Sequence, residues 1–191
     1  GIKITIMRTL LILIIGCMLA SPNVVNAQKL SKASKKIVKT NTKQLTKEKW
    51  ILDGTGTING KLTSHYLALD SGTAVEFTGT ANDKRSLNLG KAIARNNAIN
   101  EYVETTRSMV RARINTDITD INDEQRENFA AGYERLVVKE LDGDIKPSFY
   151  IYRRNSDGTY EVRGFFIVDE TKAAAASKRA LAAAAEEVGL A

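Results

Sequence analysis

The segment from Lys84 to Ile114 contains no proline and a single glycine, Gly90. Its apolar residues recur at near-helical spacing, which places them along one side of a helix. They are Leu89, Ile93, Ile99, Tyr102, Val103, Met109, Val110 and Ile114. Charged residues occupy much of the remaining surface. The segment therefore predicts one long amphipathic helix, and we expect its apolar stripe to face a sheet.

Four segments have the composition of strands, and they are arranged as two hairpins. The first hairpin joins residues 62–69 to residues 73–80 through an Asp-Ser-Gly turn. The second joins residues 148–154 to residues 159–168 through an Asn-Ser-Asp-Gly sequence, which is a strong signal for a hairpin turn. The sequence thus predicts an antiparallel sheet of about four strands.

Two further helices are predicted after the long one. Residues 124–140 have one apolar face, and Asp123 is placed to cap the N-terminus of this helix. Residues 170–188 are rich in alanine, which favours a helix that either packs closely on a neighbour or stays partly detached. Together these elements predict an α+β fold. In it, the long amphipathic helix packs on the antiparallel sheet, with a second helix and an Ala-rich C-terminal helix.

The first 27 residues have the layout of a cleavable secretory signal. Arg8 precedes an apolar run from Leu10 to Ala20, which is too short to span a bilayer comfortably as a permanent helix. We expect cleavage after Ala27 and export of the mature chain. Cys17 permits a second interpretation, in which it is the lipidated cysteine of a bacterial lipobox. The segment stays apolar beyond Cys17, which favours cleavage after Ala27.

Residues 28–49 are rich in lysine and poor in apolar side chains. They hold eight of the 28 basic residues of the chain and one of its 22 acidic residues. Two more basic residues lie in the leader, so the chain from Trp50 onward has 18 basic and 21 acidic residues. This composition predicts a Lys-rich flexible arm or a frayed helix. The arm is interpreted either as a solvated tether or as a segment that contacts an anionic polymer or lipid, and charge runs of this kind favour the tether. Because the excess positive charge lies in the arm, the sequence does not predict a nucleic-acid partner.

We expect residues 50–191 to form a single domain, in which no cluster matches a catalytic pattern. His65 is the only histidine and is predicted to be a partly exposed strand residue. Ser64 beside it lacks the flanking glycines of a nucleophile elbow. The glycine-rich residues 54–60 predict turns rather than a phosphate loop, because the Gly-Lys-Ser/Thr ending is absent and no helix is predicted after them.

Two groups of acidic residues are possible sites. Asp142 and Asp144 flank a glycine and are interpreted as turn residues rather than an acid–base pair. The other group has spacing that suggests a calcium loop, but Gln125 stands where an EF-hand requires glycine. We interpret it as acidic residues that favour the start of a helix. Its members are Asp117, Asp120, Asp123 and Glu124.

Three arginines near the second hairpin could bind an anion together: Arg153, Arg154 and Arg163. Strand alternation argues against this, because it puts Arg153 and Arg154 on opposite faces of the sheet. The sequence therefore names no catalytic, cofactor-binding or metal-binding residue. We predict that the chain is not an enzyme and uses no cofactor.

Several short motifs lie within residues 73–170. They are the Ala-Arg-Asn-Asn-Ala stretch at residues 94–98 in the long helix, Leu-Asp-Gly at residues 141–143, and Asp-Gly at the turn of the second hairpin. In these motifs and in the order of its elements, the chain resembles the LPP20 lipoprotein family of bacterial envelope proteins. The resemblance implies a helix laid on an antiparallel sheet, no enzymatic activity, and in some members surface exposure or a link to adhesion and motility assemblies.

The sequence thus predicts a non-catalytic, exported envelope protein, periplasmic or associated with the outer membrane. We expect it to act by contact with an envelope protein, by self-association or as part of an assembly. The alternative is a binding module for an anionic envelope polymer or a small ligand.

Overall fold

The computed structural model describes residues 29–72, 74–117 and 121–190. The predicted leader with Cys17 lies outside these residues, and so does Asp120 of the predicted acidic group. The described residues form five helices and one four-stranded antiparallel sheet, which confirms the α+β fold class. Within this part of the chain, none of the helices is both long enough and apolar enough to cross a bilayer.

Helices and strands occur in an irregular order along the chain. The helices are α1 (Lys32–Lys47), α2 (Ile58–Asp70), α3 (Leu87–Asp117), α4 (Asp123–Asp142) and α5 (Glu170–Glu187). The strands are β1 (Ile51–Asp53), β2 (Ala74–Lys84), β3 (Lys146–Arg154) and β4 (Tyr160–Asp169). The long helix, the two helices after it and the second hairpin are confirmed close to their predicted bounds.

The described residues divide into two compact units, and the single domain expected over residues 50–191 stays a prediction. Of the described residues, the sheet unit contains 29–72, 74–101 and 145–169. The helical unit contains residues 102–117, 121–144 and 170–190. Helix α3 contributes its first half to the sheet unit and its second half to the helical unit.

The sheet has the strand order β1-β3-β4-β2, and each neighbouring pair is antiparallel. Gly79 on β2 lies opposite Gly164 on β4, and Ile151 on β3 lies opposite Arg163 on β4. The register of β3 and β4 shifts between residues 147 and 149, so Ser148 is the extra residue of a β-bulge.

The first half of α3 covers one face of the sheet through small residues. A Cβ atom added to Gly79 would lie 1.9 Å from the carbonyl oxygen of Ala94 and 2.6 Å from the backbone nitrogen of Ala98. Gly90 on the helix meets Val162 of β4 in the same way, with a hypothetical Cβ 2.4 Å from a Val162 methyl carbon. Helix and sheet backbones therefore approach each other closely on this face, which we call the α3 face.

Helices α1 and α2 cover the opposite face, which we call the α1/α2 face. Its core is built from large side chains, and Phe149 stacks on Phe165 with ring centroids 4.4 Å apart. Leu62 and Ile151 are completely buried. The buried residues of this core are Val38, Leu45, Trp50, Leu62, Phe149, Ile151 and Phe165.

Residues 32–47 form a helix, so the prediction of a flexible arm over residues 28–49 is wrong. The hydroxyl of Ser31 caps the helix by accepting a hydrogen bond from the backbone nitrogen of Ser34 at 3.0 Å. Asp70 at the end of α2 holds the same turn, accepting from the Ser31 nitrogen at 2.7 Å. Val38 and Leu45, seven residues apart, enter the core. Two well-placed apolar side chains thus anchor a segment that composition alone assigns to solvent.

Residues 58–70 also form a helix, so the strand and hairpin predicted over residues 62–69 are wrong. Thr57 caps this helix by accepting a hydrogen bond from the Gly60 nitrogen at 3.0 Å. Leu62 and His65 are spaced by three, which directs both toward the core. The strand prediction rested on local composition, but packing against β3 and β4 favours the helix. The short strand β1 supplies the fourth strand instead.

In the helical unit, α5 packs against α4 through small residues. The hydroxyls of Tyr133 on α4 and Ser177 on α5 are 2.8 Å apart and buried. Alanine thus permits close packing of α5, and the alternative of a partly detached helix is not observed. The N-cap of α4 is Asn122, not Asp123 as predicted, because Asn122 and Gln125 form a reciprocal capping box. The buried residues of α5 are Ala173, Ala176, Ser177, Ala180, Leu181, Ala184 and Ala185.

Candidate binding cleft

A cleft lies beside β2 on the α1/α2 face, within the sheet unit. Alternation along β2 directs Phe77 and Ala81 to the α3 face and leaves Glu76, Thr78 and Thr80 on the other. The cleft has a volume of about 440 Å³ and we call it the β2 cleft. Its walls come from α1, α2, β2, β4 and the first half of α3. The lining residues are Asn41, Gln44, Leu45, Tyr66, Glu76, Thr78, Gly79, Thr80, Glu101, Arg163 and Phe165.

A buried histidine holds the one carboxylate that β2 contributes to the cleft. The side chain of His65 is completely buried, and its Nε2 atom lies 3.0 Å from Oε1 of Glu76. Its Nδ1 atom lies 2.7 Å from the hydroxyl of Ser148. One neutral tautomer satisfies both contacts, with Nε2–H donating to Glu76 and Nδ1 accepting from Ser148. The prediction that His65 is a partly exposed strand residue is therefore wrong.

The serine, histidine and glutamate have the composition of a hydrolase triad, but their placement differs from one. A nucleophilic serine must reach the substrate, with the carboxylate behind the histidine. Here Glu76 lines the cleft, whereas neither Ser148 nor His65 does. The Glu76 side chain is 34% exposed, and that of His65 is fully enclosed by protein. The arrangement therefore positions a carboxylate at the wall of the cleft.

Three aromatic rings surround the imidazole of His65 and restrict its orientation. Tyr66, Phe149 and Phe165 each contact it edge to face, with ring centroids 5.5–6.2 Å away. Burial raises the pKa of Tyr66, and the negative charge of Glu76 raises it further. Tyr66 therefore presents a neutral hydroxyl group to the cleft at physiological pH, beside a carboxylate that the histidine fixes.

The lining of the cleft also carries a cation, on the neighbouring strand β4. The guanidinium of Arg163 lies over the ring of Trp50, 4.7 Å from its centroid, and that of Arg153 lies 4.9 Å from the same ring. Arg153 also donates to Glu161 at 2.6 Å. Arg154 instead lies over Tyr160, 5.9 Å from its centroid. Of the three arginines that could bind an anion together, the structure thus brings two onto one ring, and only Arg163 reaches the cleft.

The other residues considered from the sequence form no site. Ser64 donates its hydroxyl proton to the Gly60 carbonyl at 3.1 Å. Asp142 is the last residue of α4, and Asp144 lies 3.9 Å from the Lys172 amine. A helix does follow the glycine-rich residues 54–60, contrary to prediction. Among the residues that the structure describes, no group of three histidine, cysteine, aspartate or glutamate side chains is arranged to hold a metal ion.

Helix α1 presents a second polar surface, which we call the lysine face. Its members recur at helical spacing over an arc of roughly 120° on the side of α1 opposite Val38 and Leu45. All six are exposed, and the helix contains no acidic residue. They are Lys32, Lys35, Lys36, Lys39, Lys43 and Lys47. The predicted basic segment is thus an ordered, one-sided surface.

Comparison of the chain with protein-family models, with curated proteins and with solved structures gives no match. The similarity to the LPP20 family stays a prediction from motifs.

Glu76 was missed in the sequence, although a signal for it exists. Val75 and Phe77 alternate along β2 and mark one of its sides as apolar. An acidic residue between them, followed by alternating Thr78 and Thr80, marks a strand face that no apolar layer covers. That pattern alone is sufficient to select this face of β2 as a place to look for a ligand.

Proposed function

We propose that the chain is an exported, non-catalytic binding protein of the bacterial cell envelope, similar to LPP20 lipoproteins. Its β2 cleft holds a short polar ligand, and this is how the protein makes its functional contact. The observation that carries the proposal is the cleft itself, whose lining combines the Glu76 carboxylate, held by His65, with the Arg163 guanidinium.

The size and lining of the cleft support a ligand of modest size. A volume of about 440 Å³ falls within the range of sites for small molecules and short chains, about 300–1,000 Å³. The lining combines both charges with amide and hydroxyl groups from Asn41, Gln44 and Thr78. Apolar ligands gain little from such walls, so a polar ligand with a cationic group is the best fit.

The case for export rests on the sequence. The apolar run and the small residues before Gln28 are the features of a secretory signal. The motifs that resemble LPP20 support the same destination. A non-catalytic role is supported by the placement of Ser148 behind His65, away from the cleft.

The test is a titration of the ¹⁵N-labelled protein, residues 28–191, with three separate probes: arginine, glucosamine and a blocked Ala-Lys-Ala tripeptide. At least one probe is expected to shift the amide resonances of Asn41, Thr78 and Arg163. Thr78→Trp fills the cleft and should abolish these shifts. Thr40→Trp adds the same ring at an exposed position of α1 and should not. Absence of shifts with all three probes, or shifts that Thr78→Trp leaves unchanged, would contradict the proposal.

The lysine face favours a second candidate function, which is attachment to an anionic surface. Six exposed lysines on one side of α1 produce a strong local positive potential. We expect binding to phosphatidylglycerol vesicles that weakens steeply with salt. Lys36→Glu, Lys39→Glu and Lys43→Glu in one chain should abolish it. The matched control carries Lys139→Glu, Lys172→Glu and Lys178→Glu in the helical unit, with an identical change of net charge. An equal loss of vesicle binding in both variants would show that only the net charge matters and would contradict this second function.

A further inference from the structure

The hairpin turn fixes which residues of β4 form hydrogen bonds with β3. The backbone nitrogen of Asn155 donates to the carbonyl of Thr159 at 2.8 Å, which closes the hairpin with a hydrogen-bonded pair. Hydrogen-bonded and non-hydrogen-bonded pairs alternate along an antiparallel ladder. The register is continuous from the pair Arg154–Tyr160 to the pair Phe149–Phe165. The odd-numbered residues 161, 163 and 165 of β4 therefore bond to β3.

It follows that the even-numbered residues 162, 164 and 166 of β4 bond to β2, through Ala81, Gly79 and Phe77. The backbone groups of Glu76, Thr78 and Thr80 consequently point away from β4, toward the outer edge of the sheet. One contact supports this independently: the side-chain amide of Asn97 donates to the Thr80 carbonyl at 2.7 Å. In the part of the chain that the structure describes, β2 ends the strand order, and no other strand pairs with this edge.

The outer edge of β2 lies in the β2 cleft. Glu76, Thr78 and Thr80 all line it, and so do Gly79 and Glu101, which lie toward the α3 side of the strand. The cleft therefore reaches around the edge and exposes its backbone groups as well as its side chains. From Glu76 to Thr80 the strand spans about 13 Å. This length matches about five residues of extended chain.

We propose that the β2 cleft binds an extended peptide, which pairs with the outer edge of β2 as a fifth strand and places a basic side chain on Glu76. This inference rests on the proposed function and names its ligand class. Main-chain hydrogen bonds to an exposed strand edge provide affinity, and pockets for alternate side chains provide specificity. Here the backbone groups of Thr78 and Glu76 provide the main-chain hydrogen bonds. The Glu76 carboxylate, held by His65, provides specificity for a basic side chain.

A single peptide strand fits this edge better than the sheet of a second copy. Asn41 and Gln44 of α1 stand over the cleft and limit the space beside β2. Paired strands lie about 4.8 Å apart, so a single added strand needs little room beside β2, whereas a second folded sheet would bring its own covering helices against α1. Glu76 also argues against a symmetric β2–β2 pair centred on this residue, because that register would bring two carboxylates together.

The geometry makes a specific prediction about the peptide backbone. With the peptide antiparallel to β2, a peptide residue directly opposite an outward-facing residue of β2 exchanges hydrogen bonds with it, and its side chain lies on the same face of the sheet. A lysine that reaches Glu76 therefore also bonds to β2 through its own backbone N–H. The residues on either side of that lysine direct their backbone N–H groups away from β2. Methylation of the lysine backbone nitrogen should strongly weaken binding. Methylation of the backbone nitrogens of its two neighbours should not.

The experiment uses three libraries of blocked nonapeptides, each with lysine at the centre and mixed Ala, Val, Ser and Thr elsewhere, so that a peptide with its lysine opposite Glu76 also reaches Thr80. One library is unmodified, one is N-methylated at the lysine, and one at the two neighbouring residues. We expect the first and third to shift the amide resonances of Glu76 and Thr78, and the second to bind at least about tenfold more weakly. Glu76→Gln should weaken the unmodified library several-fold, whereas Glu124→Gln in the helical unit should not.

Three results would overturn the inference. One is equal binding of the two methylated libraries, and another is no binding of any library at millimolar concentration. If arginine or glucosamine still fills the cleft in that second case, the proposed function stands and only the peptide is excluded. The third is a mass that doubles with concentration in light scattering, with the Thr78 amide shifting without peptide. A second copy would then be the occupant of the edge.

Discussion

The two faces of the sheet are covered in different ways, although the same strands form both. On the α3 face, glycine and alanine let the helix backbone approach the strands until no space is left, as at Gly79 and Ala94. On the α1/α2 face, aromatic and large aliphatic side chains fill the space between the helices and the sheet. Those side chains cover β3 and β4 and leave β2 partly bare, and the β2 cleft is the result.

The comparison indicates how one sheet can be both closed and open. Contacts between backbones exclude water without any large side chain, but they tolerate no added atom. Contacts through large side chains leave gaps at the rim of the core, where polar residues can serve a ligand. A larger side chain is therefore tolerated at Thr78 and is not tolerated at the adjacent Gly79 of the same strand.

Gly79→Val is expected to have the largest effect. Its Cβ would overlap the Ala94 carbonyl and the Ala98 nitrogen, which are backbone atoms and cannot rotate aside. We expect a loss of at least about 3 kcal/mol in the free energy of unfolding, measured by urea denaturation followed by circular dichroism.

The matched control is Thr78→Val, which places the same side chain one residue earlier on the open face. Because valine has high strand propensity and Thr78 lines the cleft, its effect should stay within about 0.5 kcal/mol. Similar losses in both variants would show that the two faces do not differ in the way described.

His65→Leu tests the open face with an intermediate expected effect. Leucine retains bulk but leaves the Ser148 hydroxyl and the Glu76 carboxylate without their partner. We expect destabilisation of about 2 kcal/mol in the same denaturation experiment. A control is Ser64→Ala, which alters the neighbouring, solvent-facing position of α2. An unchanged midpoint for His65→Leu would mean that the histidine does not tie α2 to the strands.

The smallest expected effect concerns the pH dependence of Tyr66. Its folded pKa lies above the unfolded value of about 10, so its contribution to stability is present below pH 10 and is lost as the pH rises through the folded pKa. Glu76→Gln removes one cause of the increase and should lower the pKa of Tyr66, as measured by tyrosinate absorbance.

The same charge change in a Tyr66→Phe background separates this tyrosine from the other five. Glu76→Gln should leave the remaining tyrosine titration unchanged there. If Glu76→Gln still changes the tyrosine titration in the Tyr66→Phe background, Glu76 acts on the pKa of a different tyrosine.

Elements with strong local signals could be predicted from the sequence. The apolar periodicity of α3 extends over many turns, and the turn between β3 and β4 has a distinctive composition, so both were located closely. Helices α1 and α2 were missed because their evidence is sparse. Val38 and Leu45 are the only buried apolar residues of α1. They stabilise this helix by packing into a core that exists only in the folded chain.

The candidate site could not be predicted, because three separate elements form it. His65 lies on α2, Glu76 on β2 and Ser148 on β3, 11 and 83 positions away from the histidine. Ser148 contacts His65 from a bulge that interrupts the regular pairing of β3 with β4. Neither the bulge nor its direction is encoded in a short motif, so spacing along the chain carries no sign of this cluster.

The bulge at Ser148 has a consequence for how this protein varies in evolution. A relative that lacks one residue between Lys146 and Phe149 would pair β3 and β4 without interruption and would leave the imidazole without its hydroxyl partner. The inserted residue in the strand and the histidine in α2 should therefore be inherited together. A single-residue length difference in a strand would then predict the identity of an amino acid in a helix 83 positions earlier.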